Sequence, residues 1–208
     1  MLVMHSNSTK TLRQELLKQR KEFATGRSFA QINERLIHGV HEFLRNEAKL
    51  IRSIALYWPI QDEPDIRPPL LNWACDDEGR RLALPYARPD KHLEFYEWHD
   101  GDSLIPSQHG VPEPIPSNQS RPIINPDCIF IPCVGWSRSF VDGKSLYWRL
   151  GYGGGYFDRT LSLLRKKNPK LVCVGVGFNW QELDDAQWSA QIHDEPLDML
   201  LTESGLLR

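Results

Sequence analysis

Between Arg149 and Arg159 the chain places four glycines in five residues, then an acid and a second arginine: Arg149-Leu150-Gly151-Tyr152-Gly153-Gly154-Gly155-Tyr156-Phe157-Asp158-Arg159. Glycine tolerates positive φ and has no side chain, so successive backbone N–H groups can come close to a ligand. An apolar pattern with helical spacing begins at Tyr156 and continues through Leu161 and Leu164. A glycine turn that opens a helix points unpaired N–H groups, and the positive end of the helix dipole, at an anion. Arg149 and Arg159 flank the loop and are suited to clamp phosphate. Asp158 supplies the hard oxygen that Mg²⁺ prefers. The chemistry suggested is phosphate binding beside a metal ion. The alternative is a flexible glycine loop that holds nothing.

The common nucleotide fingerprints do not fit. Gly143-Lys144-Ser145 resembles the end of a P-loop, but position 138 is Arg where that motif needs Gly. A dinucleotide G-x-G-x-x-G read from Gly151 meets Tyr156 in its last slot, and read from Gly153 it meets Asp158.

Two other groups of residues could act with the loop. Lys10, Arg13, Leu17 and Arg20 follow a spacing that shares one helical stripe. By itself such a stripe is more often a solvated face. Glu63 follows an apolar run, Ile51 to Tyr57, and could accept hydrogen bonds from the N–H edge of a heterocycle. It also precedes Pro64 and a helical pattern, where acids are common for the dipole alone. Trp58, Tyr152 and Tyr156 could stack on a ring system, although isolated aromatics more often belong to a core. His193 carries little weight as a lone loop histidine.

The elements that must position these groups alternate. Residues about 8–25 read as a helix with Ser8 as its N-cap. A second helix starts near Ser28, where Ser28-Phe29-Ala30-Gln31 fits a capping box and Leu36, Ile37, Val40, Phe43 and Leu44 form an apolar stripe. Strands are expected at 51–57, 81–85, 93–98, 128–132, 171–178 and 199–202, and helices at 66–75 and 158–167. The stretch from Gly101 to Pro126, rich in Pro, Ser and Gly, reads as an ordered surface loop. This alternation predicts an α/β fold with a mostly parallel sheet flanked by helices. One domain over residues 1–208 is expected, with N-terminal helices at about 8–47 packed on the α/β core. Ligands in such sheets bind beyond the carboxyl ends of the strands.

Composition bounds the rest. The 208 residues are 40% hydrophobic and 25% charged, ordinary values for a globular domain. The net charge of −2 gives no electrostatic reason to expect nucleic acid. Arg165-Lys166-Lys167 falls where a helix ends, and dipole compensation accounts for it. No apolar run reaches the roughly 18 residues of a membrane span, and the N-terminus lacks the apolar region of a secretory signal. The four cysteines form no C-x-x-C pair and no zinc-like spacing with histidine. Reduced, mostly buried thiols in a cytoplasmic protein are expected. Cys128 and Cys133 lie five apart on a predicted strand, hence on opposite faces.

The whole glycine run resembles the signature of the 5-formyltetrahydrofolate cyclo-ligases (5,10-methenyltetrahydrofolate synthetases), R-L-G-x-G-x-G-Y-[YF]-D. Further matches follow in order along nearly the entire chain: Lys10-Thr11-Leu12-Arg13, Tyr57 to Glu63, Leu84-Pro85, Gly110-Val111-Pro112-Glu113-Pro114, Asp127 to Pro132, His193-Asp194 and Leu197-Asp198. The resemblance implies a sheet like that of sugar-phosphate isomerases and CoA transferases. It implies an enzyme that uses ATP and Mg²⁺ to cyclise 5-formyltetrahydrofolate to 5,10-methenyltetrahydrofolate through a phosphorylated formyl group, releasing ADP and phosphate. ATP contacts then fall to Lys10, Arg13 and Arg149, with Leu150, Gly151, Tyr152, Gly153, Gly154, Gly155, Tyr156 and Phe157. Lys10, Arg149 and Asp158 would be catalytic. Trp58, Glu63, Tyr152 and Tyr156 would bind the folate, and Asp158 and Asp198 the metal. Small molecules are the expected partners, without nucleic acid or membrane, and a monomer is expected. A non-catalytic folate- or nucleotide-binding homologue, or an ATP-dependent enzyme acting on another small molecule, is the alternative. The sequence departs from the family pattern in two places. The segment Gly135–Trp148 is longer and more aromatic, and Gly154 stands where some members carry Lys.

Overall fold

The computed structural model describes residues 3–116 and 121–208, with side chains from Thr9 onward. Two long helices come first, α1 (Val3–Ala24) and α2 (Phe29–Asn46). Then follow β1 (Ser53–Ala55), α3 (Arg67–Cys75), β2 (Arg81–Ala87) and β3 (Leu93–Glu97). Next are β4 (Leu104–Pro106), β5 (Pro112–Pro114), β6 (Cys128–Pro132), β7 (Gly135–Val141) and β8 (Lys144–Leu150). The chain closes with α4 (Tyr156–Lys167), β9 (Val172–Val176), β10 (Met199–Thr202) and β11 (Gly205–Leu207).

Seven strands form one sheet in the order β11-β10-β9-β6-β1-β2-β3. Pairings from β10 through β9, β6 and β1 to β2 are all parallel. The edges, β3 and β11, pair antiparallel. The α/β, mostly parallel architecture is therefore as expected. The central strand reads Cys-Ile-Phe-Ile-Pro with every residue buried, because both faces are covered.

One face packs Leu36, Val40 and Phe43 of α2 and Leu70 and Trp73 of α3 on Leu82, Leu84, Cys128, Phe130, Val174 and Val176. The other packs Leu161 of α4 on Ile129, Ile131, Cys133 and Cys173. Cys128 and Cys133 thus lie on opposite faces, and all four cysteines are free, with only Cys75 exposed. Gly39 lets α2 approach closely, since a Cβ there would sit 2.5 Å from Leu201 Cδ1. A third cluster, Leu16, Val134, Leu150, Leu183 and Trp188, anchors α1 beside the β7–β8 hairpin.

Several local expectations need correction. Ser8 does not cap α1; nothing between Val3 and Asn7 breaks a helix, and the helix starts five residues earlier. The Ser28 capping box does not form. Ser28 is itself helical (φ −86°, ψ −6°) and its side chain makes no cap hydrogen bond, because the Thr25–Phe29 turn already winds into α2. The stretch 101–126 is not all loop; it holds the β4–β5 hairpin, while residues 117–120 lie outside the described residues. The aromatic segment at 135–148 is the β7–β8 hairpin, closed by Asp142 (φ 51°) and Gly143 (φ 76°). Asp-Gly between two alternating runs favours such a turn. The strand at 51–57 is cut to β1, and the one at 171–178 to β9.

No helix among the described residues is long and apolar enough to cross a membrane.

Candidate active site

A cavity of about 1100 Å³ opens beyond the C-terminal ends of β1, β2 and β6, where Glu63, Pro85 and Pro132 line it. The glycine loop that follows β8 closes another wall.

At the β1 end the chain turns sharply, with Gln61 and Asp62 both at positive φ (49° and 62°). That turn folds the Glu63 carboxylate back onto its own loop, where it accepts a hydrogen bond from Ile60 N at 2.9 Å. The hydroxyl of Tyr152 donates to Glu63 Oε1 at 2.6 Å. Arg20 Nη2 in turn donates to Tyr152 Oη at 2.5 Å and lies 3.9 Å from Glu63. The remaining Arg20 donors reach the carbonyls of Gln61 (2.8 Å) and Cys133 (3.3 Å). Arg20 is 1% exposed and Glu63 6%. Burial raises the Glu63 carboxyl above its ordinary value, opposed by Arg20 and by the hydrogen bonds from Tyr152 and Ile60. Burial, with Glu63 adding to it, also lifts the Tyr152 hydroxyl, so the phenol stays a donor. The alternative role of Glu63 as a helix-start acid is overturned. α3 begins at Arg67, and Asp65 accepts from Arg67 N at 3.0 Å instead.

The solvated face that the Lys10–Arg20 spacing suggests by itself does not hold for Arg20. Arg20 occupies a buried site because Leu16, four residues earlier, and Phe23, three later, lie on the same helical face and pack inward. An arginine set within that apolar stripe was the available signal. Trp58 lines the cavity too, edge-on to Trp98 at 6.2 Å, with the Arg67 guanidinium 4.1 Å over its ring.

At the glycine end Gly153 and Gly155 both take positive φ (98° and 68°). Gly155 is the N-cap of α4, so the helix opens directly from the loop. Gly151 gives room to Arg149, whose Nη1 would be 2.0 Å from a Cβ at that position. Arg149 is 7% exposed; its Nη2 donates to Asp158 Oδ2 at 3.1 Å, and its guanidinium lies over the Phe157 ring at 5.3 Å. Arg13 Nε donates to Gly151 O at 2.8 Å, and Arg159 Nη1 to Gly154 O at 2.8 Å. Three guanidinium groups therefore converge on this loop. Burial lowers the Arg13 pKa, with Asp194 opposing and Arg149 reinforcing the shift. Leu150 turns its side chain into the α1 cluster, so only its backbone faces the loop. Tyr156 meets the β4–β5 hairpin, accepting from Gln108 Nε2 at 3.0 Å.

Two expected residues stand apart. Lys10 is exposed and does not line the cavity, although its neighbour Thr9 does. Asp198 is not brought to Asp158. It precedes β10, at the opposite end of the sheet, where its Oδ2 accepts from Cys173 N (2.7 Å) and Arg165 Nη2 (3.1 Å). The physical reason is strand direction: Asp198 lies before a parallel strand, not after one. On the Asp158 side the cavity is also lined by Asp194 and by Glu195, whose backbone N lies 3.5 Å from Asp158 Oδ1. Among the described residues no group of three or more His, Cys, Asp or Glu could hold a metal by itself. Asp158 and Asp194 are oxygen donors of the kind that Mg²⁺ takes one or two at a time.

A profile of the 5-formyltetrahydrofolate cyclo-ligase family matches residues 5–203. A 5-formyltetrahydrofolate cyclo-ligase of Mycoplasma pneumoniae is 26% identical over 195 residues, covering 92% of this chain and 96% of that protein. One from Haemophilus influenzae is 27% identical over 154 residues, covering 71% and 76%. Among solved structures, a 5,10-methenyltetrahydrofolate synthetase from Mycoplasma pneumoniae superposes with a TM-score of 0.70 at 22% identity, covering 94% of this chain and 98% of that one, a likeness of fold. The Aquifex aeolicus 5,10-methenyltetrahydrofolate synthetase gives 0.65 at 28% identity, covering 95% and 92%.

Proposed function

The chain belongs to the 5-formyltetrahydrofolate cyclo-ligase family, an enzyme family, and from that premise we propose that it closes 5-formyltetrahydrofolate to 5,10-methenyltetrahydrofolate at the expense of ATP. The observation that carries this reading is a single cavity with two unlike walls. One presents the Glu63–Tyr152–Arg20 group, the other a glycine loop ringed by Arg13, Arg149 and Arg159.

The formyl oxygen on N5 is a poor leaving group. Transfer of the γ-phosphoryl group to it, with ADP departing, makes an imidate-like phosphate. N10 then attacks the formyl carbon, the C–O bond breaks toward phosphate, and the N5=C–N10 bridge remains. Phosphoryl transfer asks for positioning and charge neutralisation more than covalent help. Arg149 and Arg13, with the loop N–H groups, fit that demand, and Lys10, exposed and next to the cavity-lining Thr9, is the further cation this reading assigns to phosphate. Asp158 and Asp194 are the residues that would hold Mg²⁺, which when bound neutralises phosphate charge. Glu63 and the Tyr152 hydroxyl suit the polar edge of the pterin, with Trp58 and Tyr156 flanking its ring. Three buried free thiols suit a reducing cytoplasm.

The test is the absorbance of methenyltetrahydrofolate on mixing the protein with 5-formyltetrahydrofolate and Mg²⁺, with and without ATP. ATP-dependent product supports the reading; its absence at high enzyme concentration removes it.

A further inference from the structure

Glu113, in β5, lines the same cavity and has no part in the reading above. It is 7% exposed. Its Oε2 accepts from Ala87 N at 3.3 Å, which fixes the carboxylate over the end of β2, one strand away from the β1 exit that carries Glu63. The other cavity acids are engaged elsewhere: Glu63 faces Arg20, Asp158 faces Arg149, Glu195 faces Arg165, and Asp194 acts on Arg13. Among the described residues no cation acts on Glu113. Burial lifts its carboxyl above the ordinary range, opposed only by the Ala87 N–H and the Ser107 hydroxyl. A buried carboxylate without a cation is costly, and groups so placed in a cleft cluster at functional sites. It is also the type of group tuned toward general-base work.

We propose that Glu113 accepts the proton that N10 must lose during ring closure. The inference rests on the cyclo-ligase reading. When the N10 lone pair forms the new C–N bond, N10 carries a positive charge and one hydrogen. The Glu113 carboxylate takes that hydrogen as a proton. The N10 pair then helps expel phosphate, which leaves with the electrons of the C–O bond. Glu113, now neutral, returns its proton to solvent, and no oxidant or further reactant is needed. The proton acceptor acts after phosphoryl transfer, so its loss separates two events that otherwise run together.

Rapid-quench measurement of ADP, beside stopped-flow absorbance of methenyltetrahydrofolate, reads each event. In wild type, ADP and product rise in step. In Glu113→Gln, ADP is expected to form at a rate within about threefold of wild type, up to one equivalent per enzyme. Ring closure is expected to slow by about 10²-fold or more, the usual worth of a positioned acid or base. Glu113→Asp keeps a carboxylate with shorter reach and is expected to fall between the two. If Glu113→Gln slows ADP formation and closure equally, or closes at the wild-type rate, the proposal is overturned. Should Glu113→Gln not fold, Glu113→Asp decides in the same way: closure slowed with ADP formation intact supports it, equal slowing overturns it. A wild-type enzyme that forms product while the variant loses both events removes only the role of Glu113. A wild-type enzyme that forms neither ADP nor product removes the cyclo-ligase reading and this proposal together.

Discussion

At the β1 end of the cavity Arg20, Tyr152 and Glu63 already satisfy one another, whereas at the glycine end the first N–H groups of α4 have no helical acceptor and the arginines hold loop carbonyls. The first region is nearly dry and charge-balanced, with Arg20 and Glu63 each under 10% exposed. The second is wetter: Gly153, Gly154 and Arg159 are exposed. A buried charge pair must be assembled by folding, because an unpaired charge in the interior is too costly to await a ligand. A loop at the surface can leave donors to water until an anion replaces it. The dry end should therefore fail by unfolding and the wet end by losing function.

The largest expected effect breaks the dry end. Arg20→Met strands the buried Glu63 and leaves the carbonyl of Gln61 without its Arg20 donor, while Cys133 O keeps Gln181. Loss of one partner of a buried pair costs about 3–5 kcal/mol. Urea unfolding should show the midpoint falling accordingly, and an unchanged midpoint would show that the pair does not hold this region. At the wet end, Gly155→Val forces a β-branched residue to φ near 68° and drives its Cβ against Arg159, 2.7 Å away. Backbone strain of this sort is about 1–3 kcal/mol. The KM for ATP should rise about tenfold or activity vanish, while the melting temperature moves only a few degrees. A folded Gly155→Val enzyme with normal ATP kinetics would detach the loop from the reaction.

Glu63→Gln sharpens the comparison from the ligand side. A hydrogen bond to a charged group is worth about 1.5–3 kcal/mol. Calorimetric titration should show folate affinity falling by roughly that amount with ATP affinity kept. Equal loss of both would point to a folding defect. Next in size is a contrast between two aspartates. Asp158→Asn should weaken Mg²⁺-dependent turnover, whereas Asp198→Asn should leave the Mg²⁺ dependence alone and cost about 1 kcal/mol of stability through its bond to Cys173 N. Equal Mg²⁺ effects in the two variants would return Asp198 to the metal.

The smallest effect is a pH dependence. Burial raises the Glu113 carboxyl above 4.5 in the folded state. Between the unfolded and folded pKa values the native chain holds more protons, so this group's contribution to stability falls as pH rises through that window. Glu113→Gln removes the contribution. The stability difference, Glu113→Gln minus wild type, should therefore grow more positive from about pH 4 to pH 7. A difference that shrinks over that range would reverse the sign assigned to burial.

Much of this was legible along the chain. The strand-helix alternation predicts the parallel sheet because a strand buried on both faces must read as an apolar run, as Cys128–Pro132 does. The glycine loop is legible because glycine accepts at no steric cost the positive φ found at Gly153 and Gly155. The β7–β8 hairpin carried its own sign in Asp142-Gly143, but its aromatic strands resembled an insertion.

What the sequence by itself determined is the local chemistry: a glycine turn opening a helix, arginines beside it, and a glutamate after a strand. Only tertiary structure decided which charges share the cavity. Arg20 belongs to it because Leu16 and Phe23 turn that face of α1 inward, and helix orientation is set by packing, not by spacing alone. Asp194 reaches the site and Asp198 does not, although four residues separate them. The reason is that a parallel sheet sends one end of every strand toward the ligand and the other away, and a side chain's place in the sequence does not say on which end it falls.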